Sequence, residues 1–378
     1  MAEVPLPDWE TLRGDPRLSE LDRQLGQLLG ALDPAGGAWV RVAGSLASRA
    51  AALGEGYLAL AGEAPLEPWP TPMLWRERLL GSPVVGAPPG HRPLILDAGD
   101  RLYLHRFWCY QADLARDLRE RAALPPRRLS EARLQRSLDR LDASVTGFGA
   151  VSPLILGTAA LCRVCVVQAS SSIWADLLSS LLVVIGEQLN RRLSLLVAGP
   201  GQCRDLLATL LARVANDPTL NAGERAQLPT EPLVLEHLPR DRYRNRQDGI
   251  GQEPPLRADL AMVVGAEAAD PVMLGALVRN LPPYTRLVLL GDTLRVARPE
   301  YLPFAALLAG PGQSAAFREH LGRLLGEPLA RGGDAVNALQ NAVVTPLVAA
   351  PSVTAGGLYQ AFWEPAGGTG NPAHNPEE

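Results

Sequence analysis

The stretch Ala198-Gly199-Pro200-Gly201-Gln202-Cys203-Arg204-Asp205 follows an apolar run that begins at Leu193 and precedes a helical pattern, so it reads as a turn from strand into helix. At such a turn a phosphate-binding loop carries G-x-x-x-x-G-K-[ST]. Glycines let backbone NH groups curl around the phosphates, a lysine reaches the β and γ oxygens, and a hydroxyl holds Mg²⁺. The residues present are Ala198, Gly199, Gly201, Cys203, Arg204 and Asp205. Cys203 brings a Cβ where the loop favours positive φ, and Asp205 puts a carboxylate at the helix N-terminus that would otherwise attract phosphate. Arg204 keeps the charge, but a planar fork does not replace a compact ammonium. Nor does the chain hold a substitute, because all 36 of its basic residues are arginine. Taken alone, the stretch is also what an ordinary Gly/Pro turn looks like; its flanks decide.

Downstream, Leu260 to Val264 and Leu287 to Leu290, the latter ending in Gly291-Asp292, read as two more buried strands. Strands alternating with helices, and a phosphate-loop position after the first strand, predict an α/β fold with a RecA-like parallel sheet covered on both faces. Upstream, Leu18, Leu21, Leu25, Leu28, Leu29 and Leu32 recur at helical spacing after Asp15-Pro16, which predicts an amphipathic helix facing a core. A second helical pattern runs from Val42 to Leu53 and stops at Gly54. Leu94 to Leu96 and Arg101 to Leu104, separated by Asp97-Ala98-Gly99-Asp100, read as a hairpin, and Phe107 to Arg121 as a helix. The expected organisation is a mostly helical N-terminal domain at 1–125, a linker at 126–150, the sheet domain at 151–325 with a degenerate nucleotide site, and a low-complexity, partly disordered tail at 326–378.

Composition narrows the function. Hydrophobic residues at 47% and charged residues at 20% are globular proportions, and a net charge of -4 argues against a strongly basic nucleic-acid binder. The N-terminus has no apolar core of signal-peptide length, and Arg163, Gln168 and Asp176 break the apolar region Leu154 to Gly186 into pieces too short for a membrane helix. The expectation is a cytoplasmic protein without a membrane partner. Cys109, Cys162, Cys165 and Cys203 are too few for a disulfide framework, and Cys162-x-x-Cys165 lacks a second ligand pair, so all read as reduced thiols and no metal site is expected. The five histidines show no ligand spacing, and no catalytic residue is singled out.

Several blocks carry a family resemblance. Gly54-Glu55-Gly56-Tyr57-Leu58-Ala59-Leu60, then Trp75 to Leu80, then Gly99-Asp100-Arg101-Leu102-Tyr103-Leu104-His105-Arg106-Phe107-Trp108-Cys109, stand in the order of the RecD family, the alpha subunits of exodeoxyribonuclease V (RecBCD). Leu235-Glu236-His237-Leu238, Tyr243-Arg244-Asn245, Ala258-Asp259-Leu260 and Arg286 to Asp292 are similar to further blocks of that family. The resemblance implies an ATP-dependent DNA helicase subunit with RecC-like and RecB-like partners. This chain departs from it where the chemistry sits. Val264-Gly265-Ala266-Glu267 replaces the Walker B sequence D-E-A-S, and Arg295 stands at the glutamine position of G-D-x-x-Q-L after Asp292. The A-P-T-G-K-A-A segment is absent, as is anything like a second RecA-like domain after Gly310. The expected function is therefore a pseudo-ATPase subunit that binds no cofactor, docks on a RecC-like partner through its N-terminal domain, and meets DNA only through the complex. The alternative is a divergent, active ATPase using ATP and Mg²⁺ with Arg204 and Glu267 or Asp292.

Overall fold

Ser19 starts the first long helix: its side chain accepts from the NH of Asp22 at 3.2 Å, and the Asp22 carboxylate returns the bond to the NH of Ser19 at 2.9 Å. This capping box satisfies two amide groups that the helix end leaves without partners. The computed structural model describes residues 9–61, 69–123, 131–143, 153–186, 193–197, 202–226, 228, 233–238, 256, 258–297, 301–308 and 342–346. Those up to Ala112 form one compact unit and those from Asp113 onward another.

The first unit comprises α1 (Trp9–Gly14), α2 (Glu20–Ala31), α3 (Gly37–Ala52), β1 (Leu58–Ala59), α4 (Pro72–Leu80), β2 (Val85–Gly86), β3 (Leu94–Leu96), β4 (Arg101–Leu104) and the start of α5 (His105–Ala123). Its sheet has the order β1-β4-β3-β2, with β3 and β4 paired antiparallel as the expected hairpin. Asp97 shapes that turn by accepting from the NH groups of Gly99 and Arg101 and from the Arg101 guanidinium. Leu12, Leu29, Val40, Leu46, Trp75, Leu79 and Leu102 share its core.

The helix α2 corrects one expectation. Leu18 and Leu29 are buried, but Leu21, Leu28 and Leu32 are 73%, 59% and 55% exposed. Glycine decides which face goes inward. A Cβ on Gly26 would lie 2.6 Å from the carbonyl oxygen of Arg41, and one on Gly30 would lie 2.8 Å from that of Gly37. The α2 and α3 backbones approach at these glycines more closely than leucine knobs allow, so the leucine stripe is left outside.

The second unit continues with α6 (Glu131–Asp142), α7 (Pro153–Leu161), β5 (Val164–Ala169), α8 (Trp174–Gly186), β6 (Leu193–Val197), α9 (Gln202–Ala215), α10 (Ala222–Arg225) and β7 (Leu233–Val234). After these come β8 (Leu260–Val264), α11 (Pro271–Asn280), β9 (Arg286–Gly291), α12 (Pro303–Leu308) and β10 (Ala342–Pro346). The sheet order is β10-β5-β9-β8-β6-β7, parallel from β5 to β7, with β10 antiparallel at the edge beside β5. The unit is α/β, as expected. Cys165, Val167, Met262, Val264, Val288 and Leu290 pack on one side with residues of α6, α7, α8 and α9. Residues of the other parity, among them Val166, Val263 and Leu289, are equally buried, so the central strands are covered on both faces and read as unbroken apolar runs.

Three boundaries change. Residues 131–142, expected within a linker, form α6, whose Leu134, Leu138 and Leu141 join the core. Residues 342–346, expected in a partly disordered tail, form β10; the rest of 326–378 lies outside the described residues. Most consequentially, the sheet begins in chain order at β5, not at the Leu193 strand. Val164-Cys165-Val166-Val167 was readable only as apolar core, because four apolar residues in a row fit a buried helix as well as a strand.

Candidate functional site

Parallel strands end on one edge, and the loops beyond that edge are where an α/β sheet binds ligands, at the point where the strand order reverses. Here the reversal falls between β5 and β9. From β5 the chain crosses past two positions to reach β6, and on the way back it steps from β8 to β9, beside β5. The relevant ends are therefore Gln168-Ala169-Ser170, Val264-Gly265 and Gly291-Asp292.

Gln168, paired in register with Gly291, holds the turn that follows β9. Its side-chain amide donates to Asp292 Oδ1 at 3.2 Å and accepts from the NH of Thr293 at 3.1 Å. Asp292 Oδ1 also accepts from the NH of Leu294 at 3.1 Å, capping the short 3-10 turn Thr293–Arg295. One carboxylate oxygen is thus committed to local structure. After β8, Val264 is buried and Gly265 takes φ 77°, a left-handed conformation that turns the chain into the 3-10 segment Ala266–Ala268.

That segment carries Glu267, only 4% exposed. A Cβ on Gly291 would sit 2.7 Å from Glu267 Oε2 and 2.8 Å from Phe304 Cζ, so the missing side chain is what gives the carboxyl room. Oε2 has no hydrogen-bond partner among the described residues. Burial pushes the Glu267 carboxyl above its ordinary range, assisted by the Asp292 charge and opposed by backbone NH groups of Glu267 and Asp292 and by Arg295. The Arg295 Nε stands 3.9 Å from Glu267 Oε1, an ion pair too long for a hydrogen bond. Its guanidinium lies over the Trp174 ring at 5.1 Å, and Trp174 donates to the carbonyl of Ala169 at 2.8 Å. The half-exposed guanidinium is thereby parked on an aromatic face.

The segment between β5 and α8 is Ser170-Ser171-Ser172-Ile173, with the Ser170 hydroxyl accepting from the NH of Ser172. None of residues 169–174 takes the left-handed conformation that a nest of NH groups around phosphate uses. Cys162 and Cys165 lie at the other end of β5 as buried free thiols, and burial pushes the Cys162 thiol up to about 12. No group of three or more metal-ligating side chains able to hold an ion occurs among the described residues.

Of the positions singled out from sequence, the structure brings together Val264, Gly265, Asp292, Arg295 and Glu267. It does not bring the Leu193 strand to them as first strand. β6 is three positions from β5, roughly 14 Å at about 4.8 Å per strand. Ala198, Gly199 and Gly201 lie outside the described residues; Cys203, Arg204 and Asp205 are described only as backbone in the first turn of α9. Sequence reasoning missed Gln168, Ser170 and Trp174, whose signal was the Ser-Ser-Ser interruption of an apolar run. No protein-family model matches the chain, and no curated protein matches it either.

Proposed function

We propose that this chain is a RecD-like subunit of an exodeoxyribonuclease V-type complex in DNA repair and recombination, without catalytic activity of its own, docking through its N-terminal unit on a RecC-like partner beside a RecB-like subunit. In this reading the second unit is a RecA-like domain whose nucleotide site has been replaced by packing. One observation carries it: the ends of β5, β8 and β9 meet at the switch point, and the polar side chains there are taken up by local packing. Gln168 clamps Asp292, Arg295 rests on Trp174, and Glu267 is enclosed by Gly291 and Phe304.

Mg²⁺ with ATP does not suit these residues. A metal carboxylate has to be ionised and reachable, whereas Glu267 is buried with its proton affinity raised, and Asp292 is buried with one of its two oxygens held in a turn. No lysine in the chain reaches a phosphate. The second reading, a divergent ATPase and helicase, is favoured by the mere presence of Glu267, Asp292 and Arg295 at the strand ends. Calorimetry with a non-hydrolysable ATP analogue, with and without Mg²⁺, beside a pull-down with purified RecC-like and RecB-like subunits, separates the two. Silence in calorimetry with stable capture of the RecC-like subunit is expected. Mg²⁺-dependent nucleotide binding would give the second reading the field.

A further inference from the structure

We propose that the open end of the β3–β4 hairpin is a binding site for single-stranded nucleic acid, with Arg92 and Arg106 on the phosphates and the rings around them on the bases. The site goes beyond the reading above, in which partners bring the chain to DNA, and does not depend on it. The dipeptide His-Arg occurs twice, as His91-Arg92 just before β3 and as His105-Arg106 at the start of α5 just after β4. Antiparallel pairing of Leu94 with Leu104 brings both pairs to one end of the hairpin. There the NH of His105 donates to the carbonyl of Pro93 at 2.9 Å, and the His91 and His105 rings meet edge to face with centroids 5.9 Å apart.

Positive charge at this end is unopposed. Against a net charge of -4 for the chain, no acidic residue occurs in 78–96 or in 101–112. His91, Arg92 and Arg106 are exposed and His105 is half-buried, and among the described residues none of the four forms an ion pair. A Cβ on Gly86 would lie 2.9 Å from Arg92 Cγ, so the arginine stem rests on the glycine and its guanidinium is left to solvent. The next carboxylate along α5, Asp113, is paired with Arg116. The Arg106 guanidinium lies over the Tyr110 ring at 5.3 Å and donates to its hydroxyl, and Phe107 meets Tyr110 edge-on at 6.1 Å.

Cations interleaved with rings select the occupant. A single strand presents phosphates and unstacked bases in alternation, so the guanidinium groups take the one while imidazole rings, Tyr110 and the Arg106 plane stack with the other. A duplex keeps its base faces inside and would give the rings no partner. A phosphopeptide site gathers several arginines on one phosphate, and a membrane site combines basic residues with large exposed apolar side chains. No large hydrophobic side chain is exposed at this end of the hairpin.

The test is fluorescence anisotropy of a labelled oligo-dT of about 12 nucleotides titrated with the full chain at about 50 mM and about 200 mM salt, beside a duplex of the same length. Variants are Arg92→Gln and Arg106→Gln, singly and together, Tyr110→Leu, and Arg136→Gln at an exposed position of α6 as the control, each checked by circular dichroism. The wild type should bind the single strand more tightly than the duplex. The double variant should lose at least tenfold in affinity, and its slope of log K on log salt should fall by about 1.4, the share of two phosphate contacts. Tyr110→Leu should lose about fivefold with the slope unchanged, and Arg136→Gln should stay near wild type. No single-strand binding by the wild type up to about 100 μM overturns the site, as does a double variant within threefold of wild type. Preference for the duplex overturns the occupant named here. A wild type that ignores the oligonucleotide but binds phosphatidylglycerol vesicles makes a lipid surface the occupant and overturns it too.

Discussion

Arg121 stands near the end of α5 with its guanidinium buried, and among the described residues its hydrogen-bond acceptors are backbone carbonyls rather than carboxylates. It donates to the carbonyl oxygens of Pro282 and Thr285, both at 2.8 Å, Val278 at 3.0 Å and Leu281 at 3.1 Å. These carbonyls belong to the end of α11 and the turn after it, where a helix leaves its last acceptors without partners. Burial lowers the Arg121 pKa to about 10, with Arg163 nearby adding to the effect, yet it remains charged at neutral pH. Arg121→Met strands several buried acceptors at once and should cost about 3 kcal/mol or more in urea unfolding. Arg121→Lys should recover little, since an ammonium has three donors and no fork; full recovery would mean that charge alone matters. Glu267 gives a prediction of opposite character. Its folded pKa is raised, so stability is full below the ordinary glutamate range and falls as pH rises through the folded value, because the unfolded chain ionises first. Glu267→Gln should match wild type near pH 4 and exceed it at pH 7 in denaturant titrations. A constant difference across that range would refute the assignment.

At the level of elements, the α2–α3 hairpin sets two energies against each other. Replacing a helical glycine with alanine normally gains about 1 kcal/mol. At Gly26 the new methyl meets a backbone carbonyl, which yields only if the helices separate, and overpacking of that kind costs about 1–3 kcal/mol. Thermal melts should show Gly26→Ala destabilised and Gly14→Ala, which has nothing within 4 Å of the added carbon, neutral or stabilised. The same hairpin explains what sequence could say about it. Leucine periodicity located a helix at 20–31 and the Gly54 stop located the end of the next, because those signals are local. Which face turned inward was not local, since Gly26, Gly30 and Gly37 matter only as a pair of surfaces. The hairpin at β3 and β4 was readable for the reverse reason, its turn chemistry being complete within Asp97 to Arg101.

On the scale of the whole molecule, strand content and the α/β class were readable from apolar runs, but strand order was not. β5 and β9 are separated by more than a hundred residues in sequence and are neighbours in the sheet, and no periodicity reports such a pairing. For that reason the sequence pattern points to the Leu193 strand, whereas the strand ends that meet are those of β5, β8 and β9; Asp292 and Arg295 lie together because they are three residues apart in the chain. Each unit has its own core, with Trp75 in one and Trp174 in the other. Buried arginines occur in both. Arg101 is buried in the first, and Arg121, Arg163 and Arg286 in the second, where Arg163 and Arg286 donate to the backbone carbonyls of Tyr284 and Ala160. Because the chain holds no lysine, trypsin has arginine alone to cut after, and at these four positions the peptide is out of the enzyme's reach until the surrounding structure opens. Timed digestion read by mass spectrometry should show these four cuts lagging and accelerating with urea; early cleavage after Arg286 would contradict its placement. A single protease thus becomes a two-channel gauge, the Arg101 fragment reporting when the hairpin of the first unit opens and the other three reporting on the large sheet.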